Sequence, residues 1–325
     1  MRPHSRFRSR GFLPALALLA ASVSSCQCRE APSSPPEGAR RVPTTTPAEA
    51  SAPPAKPAPP GSPRQPLRLV EHAVYMAAPV PAAQLDRAKR EARARFPDVP
   101  IVSEPKEPPG VMIGAPDIAT YAPPGEDSLV FSGRGLSPEA AKAAAASMGA
   151  LRLSFAFDDD PKLARLRATQ ALVADLAEKA GGFVWDQATR EVYSVAAFRA
   201  ARIETWQGDV PDVQRHFTIH YYATGDGRHR AITLGLEKLG LPDLVIQDVP
   251  QRSSTPASSL MNVLAQLLVE GAAIGPGGRI VVDSTSIAHA GARERASSNL
   301  LGKPARRATV EIGRASCRER VFVGV

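Results

Sequence analysis

Between Arg29 and Pro66 the chain carries twelve prolines in 38 residues, and most of the rest are Ala, Ser and Thr. Proline fixes φ and has no amide hydrogen, so such a run builds neither a helix interior nor a central strand. It also holds too few apolar groups to offset the entropy of ordering itself. Any hydrophobic core must therefore come from Leu67 onward. That remainder is long enough for one or two packed domains. The run itself is expected to be a disordered tether, partly polyproline II at ~3.1 Å per residue and spanning at most roughly 100 Å.

Charge follows the same division. The 325 residues carry a formal charge of +8. Residues 1–25 hold four arginines and no acid, residues 26–66 five basic and three acidic groups, and residues 312–325 three arginines and one glutamate. The segment 67–311 is formally neutral. A neutral body argues against nucleic acid as the main partner, because that affinity comes largely from neutralised phosphates. The three cysteines, Cys26, Cys28 and Cys317, exclude a disulfide-rich scaffold and leave none between Leu67 and Val310.

The N-terminus has a secretory pattern. Arg2, Arg6, Arg8 and Arg10 precede an apolar run, Gly11 to Val23, that is too short for a bilayer core needing ~20 residues. The run ends in Val23-Ser24-Ser25-Cys26, which resembles the lipobox of bacterial lipoproteins. The resemblance implies that residues 1–25 are a signal peptide, cut before Cys26. The Cys26 thiol would then carry a diacylglyceryl group and its new amine a further acyl chain such as palmitate. Two or three acyl chains anchor stably where one binds only marginally. Cys28 follows Gln27, which is not small, and is the poorer lipid site. Gln27 also stands where some lipoproteins carry the Asp that keeps them in the inner membrane. The implied location is thus the cell envelope, in the outer membrane, facing the periplasm or the surface.

At the other end, Glu311-Ile-Gly-Arg-Ala-Ser-Cys-Arg-Glu-Arg-Val321 resembles the in-frame translation of a common sequencing-adapter DNA. That resemblance implies that residues 311–325 are an artefactual tail. Cys317, Arg318 and Arg320 then carry no functional meaning, and the native sequence diverges near Val310.

Within the body, hydrophobic periodicity predicts strands at 67–78, 99–104, 128–132, 150–157, 183–186, 191–194, 213–224, 230–236, 244–249 and 279–283. It predicts helices at 83–96, 138–148, from Asp160-Pro161 to Gly181, at 195–203 and at 254–269. Leu85, Ala88, Ala92 and Phe96 make the apolar stripe of the first. Its charged face carries Asp86–Arg90, Arg87–Glu91 and Glu91–Arg95 at i,i+4, the pattern of a solvated face. Helices alternate with single strands early, and hairpins dominate later. The expected fold is α+β, with βαβ units, some of them split, and antiparallel hairpins in a mixed sheet covered by helices. The body divides at 67–206 and 207–310, as two halves of one domain or as two domains.

Chemical motifs are sparse. His216-Phe-Thr-Ile-His220 has helical zinc spacing, but Phe217, Ile219 and Tyr221 alternate with the histidines as on a strand. Residues i and i+4 then lie ~13 Å apart, too far to share a metal, and the reading is a polar strand face. Asp158-Asp159-Asp160 closes a strand before a helix. Carboxylates there suit a magnesium site, whereas Asp160 also suits a helix cap. No G-x-S-x-G elbow or Walker A loop is present. A further stretch, Arg230 to Leu244 with Thr233, Gly235, Gly240, Pro242 and Asp243, resembles a segment of uncharacterised bacterial domains of unknown function. Gly182-Phe-Val-Trp-Asp186 with Tyr193-Ser194 extends the likeness. It implies no activity.

Three readings follow. The first is a lipid-anchored envelope protein held to the membrane through Cys26, acting by non-catalytic binding or scaffolding on an envelope protein partner, with no cofactor, metal or nucleic acid. The second is a metal-assisted hydrolase using Asp158, Asp160, Asp243 and Asp283. The third is an adaptor that docks through the apolar helix from Leu260 to Val269.

Overall fold

The computed structural model describes residues 68–103, 109–157, 160, 162–225, 227–275 and 279–299, together with the backbone of 307–314 and 320–324. All lie in one compact unit. The stretches expected to be a signal peptide and a tether, together with Cys26 and Asp158, lie outside the described residues.

The first sheet has six strands: β1 (Arg68–Met76), β2 (Gly110–Gly114), β3 (Gly133–Arg134), β4 (Gly149–Phe157), β5 (Phe183–Asp186) and β6 (Glu191–Tyr193). Their order is β2-β4-β1-β5-β6-β3, antiparallel except where β3 runs parallel to β6. Helix α1 (Ala82–Arg95) connects β1 to β2, and α4 (Ala164–Ala180) connects β4 to β5. β4 lies between β1 and β2, and β1 lies between β4 and β5. These are two interlocked split βαβ units, the β-α-β-β-α-β arrangement. Helices α2 (Glu126–Ser132) and α3 (Pro138–Ala145) are inserted before β4, and α5 (Val195–Arg202) follows β6.

Alternation on the pleat explains the layering. Val70, Val74 and Met76 of β1 join the main core with Ala88 and Ala92 of α1 and Leu166 and Val173 of α4, while Tyr75 joins Leu129 of α2 and Ala144 of α3 in a second cluster. The rings of Phe96, Phe155 and Phe157 pack at tilted angles with centroids 5.6–6.1 Å apart. On α1 the charged face turns to its neighbour: Glu91 pairs with Lys179 at 2.8 Å and Arg95 with Asp175 at 2.9 Å, both across to α4.

The second sheet has the order β10-β11-β12-β9-β8-β7. Its strands are β7 (Thr218–Gly225), β8 (Arg228–Leu234), β9 (Asp243–Pro250), β10 (Arg279–Asp283), β11 (Arg307–Arg314) and β12 (Arg320–Gly324). β9 and β12 are parallel and the other neighbours antiparallel. Helix α6 (Ser254–Val269) follows β9, and α7 (Ala290–Asn299) follows β10. The fold is α+β, as expected, but with two mixed sheets rather than one. The terminal strands β11 and β12 include residues of the adapter-like stretch.

Other local expectations are corrected. Residues 128–132 belong to helix α2, not a strand: Glu126 and Asp127 occupy its first turn, and Leu129 is buried while Phe131 is 80% exposed. That is one-sided helical burial rather than alternation. Of the strand expected at 99–104, the described residues 99–103 give only a bridge from Ile101 to Val111. Residues 213–215 form a 3₁₀ turn, and the strand starts at Thr218. The α6 helix offers no docking face over Leu260 to Leu267, because Leu260, Met261, Val263, Leu264, Ala265 and Leu267 are all buried. No helix among the described residues is long and apolar enough to cross a membrane.

Candidate functional site

Asp186, Lys238 and Arg202 meet at the end of β5, each with 1% or less of its side chain exposed. Asp186 closes β5, where its Oδ1 accepts the backbone N–H groups of Ala188 and Thr189 at 3.1 and 3.4 Å and shapes the turn into β6. Its Oδ2 accepts Lys238 Nζ at 2.5 Å and Arg202 Nη2 at 3.0 Å.

Lys238 reaches this point because of its loop. It sits in a 3₁₀ turn, Leu236–Leu239, between β8 and β9. Gly235 (φ 108°) and Gly240 (φ 74°) flank the turn in the left-handed region that glycine tolerates without strain. Thr233 donates to Asp243 Oδ1 at 3.1 Å and accepts from Leu244 N at 2.7 Å, while Leu236 N donates to the same Oδ1 at 3.3 Å. The loop is thus cross-tied at its neck, with Lys238 turned inward.

Arg202 is the last residue of α5. Its Nη2 donates to Tyr193 Oη at 2.6 Å and approaches Thr189 Oγ1 and Glu191 Oε2 at 3.4 Å. The guanidinium lies 5.0 Å from the centroid of the Tyr193 ring. The Tyr193 hydroxyl donates onward to Glu191 Oε2, and Glu191 Oε1 accepts Arg134 Nη2 at 2.6 Å.

Two histidines complete the surroundings. His72 of β1 is fully buried against the Phe198 ring at 5.6 Å, and neither ring nitrogen has a partner. Burial brings its imidazole down to about 4, so it is neutral at pH 7. His216 contacts Gln170 through Nδ1 at 3.2 Å and lies edge-on to Trp206. Burial, with Arg202 and Lys238 nearby, holds it well below the usual histidine range. Burial alone would raise the Asp186 carboxyl, but Lys238 and Arg202 outweigh it and hold it well below the carboxylate range. Burial lowers the Lys238 ammonium to about 8 against the opposing pull of Asp186.

Beside this network opens a cleft of about 570 Å³. Arg134, Glu191, Tyr193 and Arg202 of the first part of the body line it together with Arg215, Thr218 and Asn262 of the second. Both sheets therefore contribute to it.

The aspartates read from the sequence are not brought together. Asp160 is buried and accepts Leu166 N at 3.0 Å, fixing the first turn of α4. Asp243 ties the Lys238 loop, and Asp283 accepts Thr285 N and Oγ1 at 2.9 and 2.7 Å. β9 and β10 run in the same direction with β12 and β11 between them. Asp243 opens β9 and Asp283 closes β10, so they occupy opposite ends of strands roughly 14 Å apart. Among the described residues no three His, Cys, Asp or Glu side chains are grouped to hold a metal ion. His220 lies half-buried on β7, stacked on Tyr222 at 6.2 Å. His216 is in the interior, not on a polar strand face, because the chain there turns before β7 begins.

Sequence reasoning missed the network itself. Two parts of it were visible, since Asp186 and Tyr193 fall in one singled-out stretch and Lys238 in the other. What no periodicity signals is that the two stretches meet. A scan of family models, a search of curated proteins and a search of solved structures each found no match to this chain.

Proposed function

We propose that this chain is a lipid-anchored protein of the bacterial cell envelope, located in the outer membrane and facing the periplasm or the surface. Its globular part acts by binding or scaffolding rather than by catalysis. The lipobox-like Val23-Ser24-Ser25-Cys26 supports the anchor, and the proline-rich stretch 26–66 supports a tether between anchor and body. On the same reading, 311–325 is an artefactual tail, and the body resembles bacterial domains of unknown function.

One observation carries the binding role: the two carboxylates beside the cleft, Asp186 and Glu191, and Lys238 are committed to partners within the network. Asp186 has both oxygens in hydrogen bonds to fixed groups, Lys238 Nζ is bonded to Asp186, and both buried histidines are neutral. Groups held in this way shape a surface and its potential. They are poorly placed to exchange protons with a substrate, because general acid–base work needs a group within reach of the reacting atom, and Lys238, though lowered to about 8, is fully buried on Asp186. The open cleft next to them is the surface they shape. A partner in the envelope would engage there while Cys26 holds the molecule to the leaflet.

The anchor is tested by mass spectrometry of the mature N-terminus and by globomycin treatment of expressing cells. An acylated Cys26, with a longer precursor accumulating under globomycin, is the expected result. A free amino terminus, or a product released into the medium, would overturn the anchor.

A further inference from the structure

Three cations, Lys238, Arg202 and Arg134, share the network with two carboxylates, Asp186 and Glu191, and the two buried histidines add no charge at pH 7. Glu237, on the same turn as Lys238, is a further carboxylate in reach of Lys238 and Asp186, and among the five bonded groups one positive charge is left over. Its place is legible from the hydrogen bonds. Lys238 lies on Asp186, and Arg134 grips Glu191 through both Nε and Nη2. Arg202 makes all its side-chain hydrogen bonds through Nη2, and its buried Nε has no partner. The same arginine borders the cleft. The C-terminal dipole of α5 offsets only part of that charge, about half a unit at most. Arg215, which also lines the cleft, is half-exposed and holds Asp212 Oδ2 only loosely at 3.9 Å, while Asp212 Oδ1 is bonded to Arg295 at 2.6 Å.

We propose that this cleft binds a compact anion bearing a carboxylate or phosphate group, with Arg202 as the inner cation and Arg215 at the rim. The inference rests on the reading that the globular part acts by binding. A buried guanidinium with unpartnered donors is a site whose desolvation cost has already been met by the fold, and Arg suits planar oxyanions. Asn262 and Thr218, which also line the cleft, supply neutral polar groups. The carboxylate of Glu191 does not oppose entry strongly, since Arg134, Tyr193 and Arg202 occupy its oxygens.

Trp206 gives the readout: its Nε1 donates to the Arg202 backbone carbonyl at 2.8 Å, so its fluorescence reports on this corner. The full chain in detergent is titrated with sodium phosphate, sodium acetate, glucose and tetramethylammonium chloride at matched ionic strength. A saturable change with phosphate or acetate is expected, and whichever of the two binds more tightly identifies the anion class. Ala200→Glu places an acid in the cleft at an exposed position without disturbing the core, and weakens anion binding about tenfold; Arg215→Ala weakens it about threefold. Anion binding unchanged in both variants means another site and overturns the proposal. Saturation by glucose or tetramethylammonium alone overturns the anion class but leaves the binding role standing. No response to any probe counts against both.

Discussion

Replacing Lys238 by methionine removes one charge from a buried pair and keeps most of the side chain's volume. Lys238 Nζ lies 2.5 Å from Asp186 Oδ2, and both side chains are fully excluded from solvent. Breaking such a pair from one side costs about 3–5 kcal/mol, because the charge left behind is buried without compensation. Here the remnant is not bare. Asp186 keeps Arg202 at 3.0 Å and the amides of Ala188 and Thr189, which places Lys238→Met at the lower end, about 3 kcal/mol. The reverse change, Asp186→Asn, strips Lys238 of the partner it has among the described residues and weakens the hold on Arg202. It belongs at the upper end, about 5 kcal/mol. The double variant should then cost less than the two singles together, since contacting residues couple by about 0.5–3 kcal/mol. Urea unfolding followed by circular dichroism, with the slope checked for two-state behaviour, measures all three. In heat, ~3 kcal/mol corresponds to roughly 6–12 °C in Tm for a body of this size. The reasoning fails if Lys238→Met unfolds within about 0.5 kcal/mol of the parent, or if Asp186→Asn proves the milder change.

His72 makes stability depend on acid. Its folded pKa is about 4 against an ordinary 6.5, so the unfolded chain binds the extra proton between those values. Stability is full above pH 6.5 and declines as pH falls toward 4, by about 3 kcal/mol at 1.36 kcal/mol per unit. His72→Leu should flatten part of that limb and leave the slope from His216, whose shift has the same sign; a denaturation series from pH 4 to 7 decides it, and an unchanged limb would refute it. Gly182→Ala puts a Cβ 2.5 Å from the Tyr75 carbonyl of β1, a backbone clash expected to cost about 1–3 kcal/mol in the same urea assay. Cys26→Ser should release the processed or unprocessed protein from the membrane fraction, read by fractionation and blotting, whereas Cys28→Ser should not.

The elements of the body were legible where one rule acts alone. Helix α1 followed from Leu85, Ala88, Ala92 and Phe96 at helical spacing, and β1 falls inside the strand expected over 67–78. The misreadings have a common physical origin. At 128–132 the run Ser-Leu-Val-Phe-Ser is apolar enough for a strand, yet only Leu129 is buried, and the acids before it favour a helix start. At 213–224 the alternation was real from Thr218 on, but the preceding turn sends His216 into the core. The candidate site was illegible for a different reason. A lysine in Leu-Glu-Lys-Leu reads as exposed, because lysine is almost never fully buried unless paired. Its partner Asp186 lies 52 residues away, and no local pattern encodes a contact at that distance.

The charge network also bears on how the two parts of the body find each other. Apolar faces attract without direction, and the Lys238 turn meets the sheet end around Asp186 with Leu236 and Leu239 already buried beside it. Those leucines alone would tolerate several dockings. The 2.5 Å pair between Lys238 and Asp186 tolerates one, because any slip leaves two charges buried and unmatched. The neck ties at Thr233 and Asp243 hold the turn rigid, so the ammonium has little freedom to follow a displaced carboxylate. By this argument the pair contributes more to the uniqueness of the docking than to its free energy. Replacing both partners by apolar groups of similar volume takes Asp186 away from Arg202 and from the amides of Ala188 and Thr189 as well, so the unfolding midpoint should fall, and the cleft bordered by Arg202 would lose its fixed shape and its anion response.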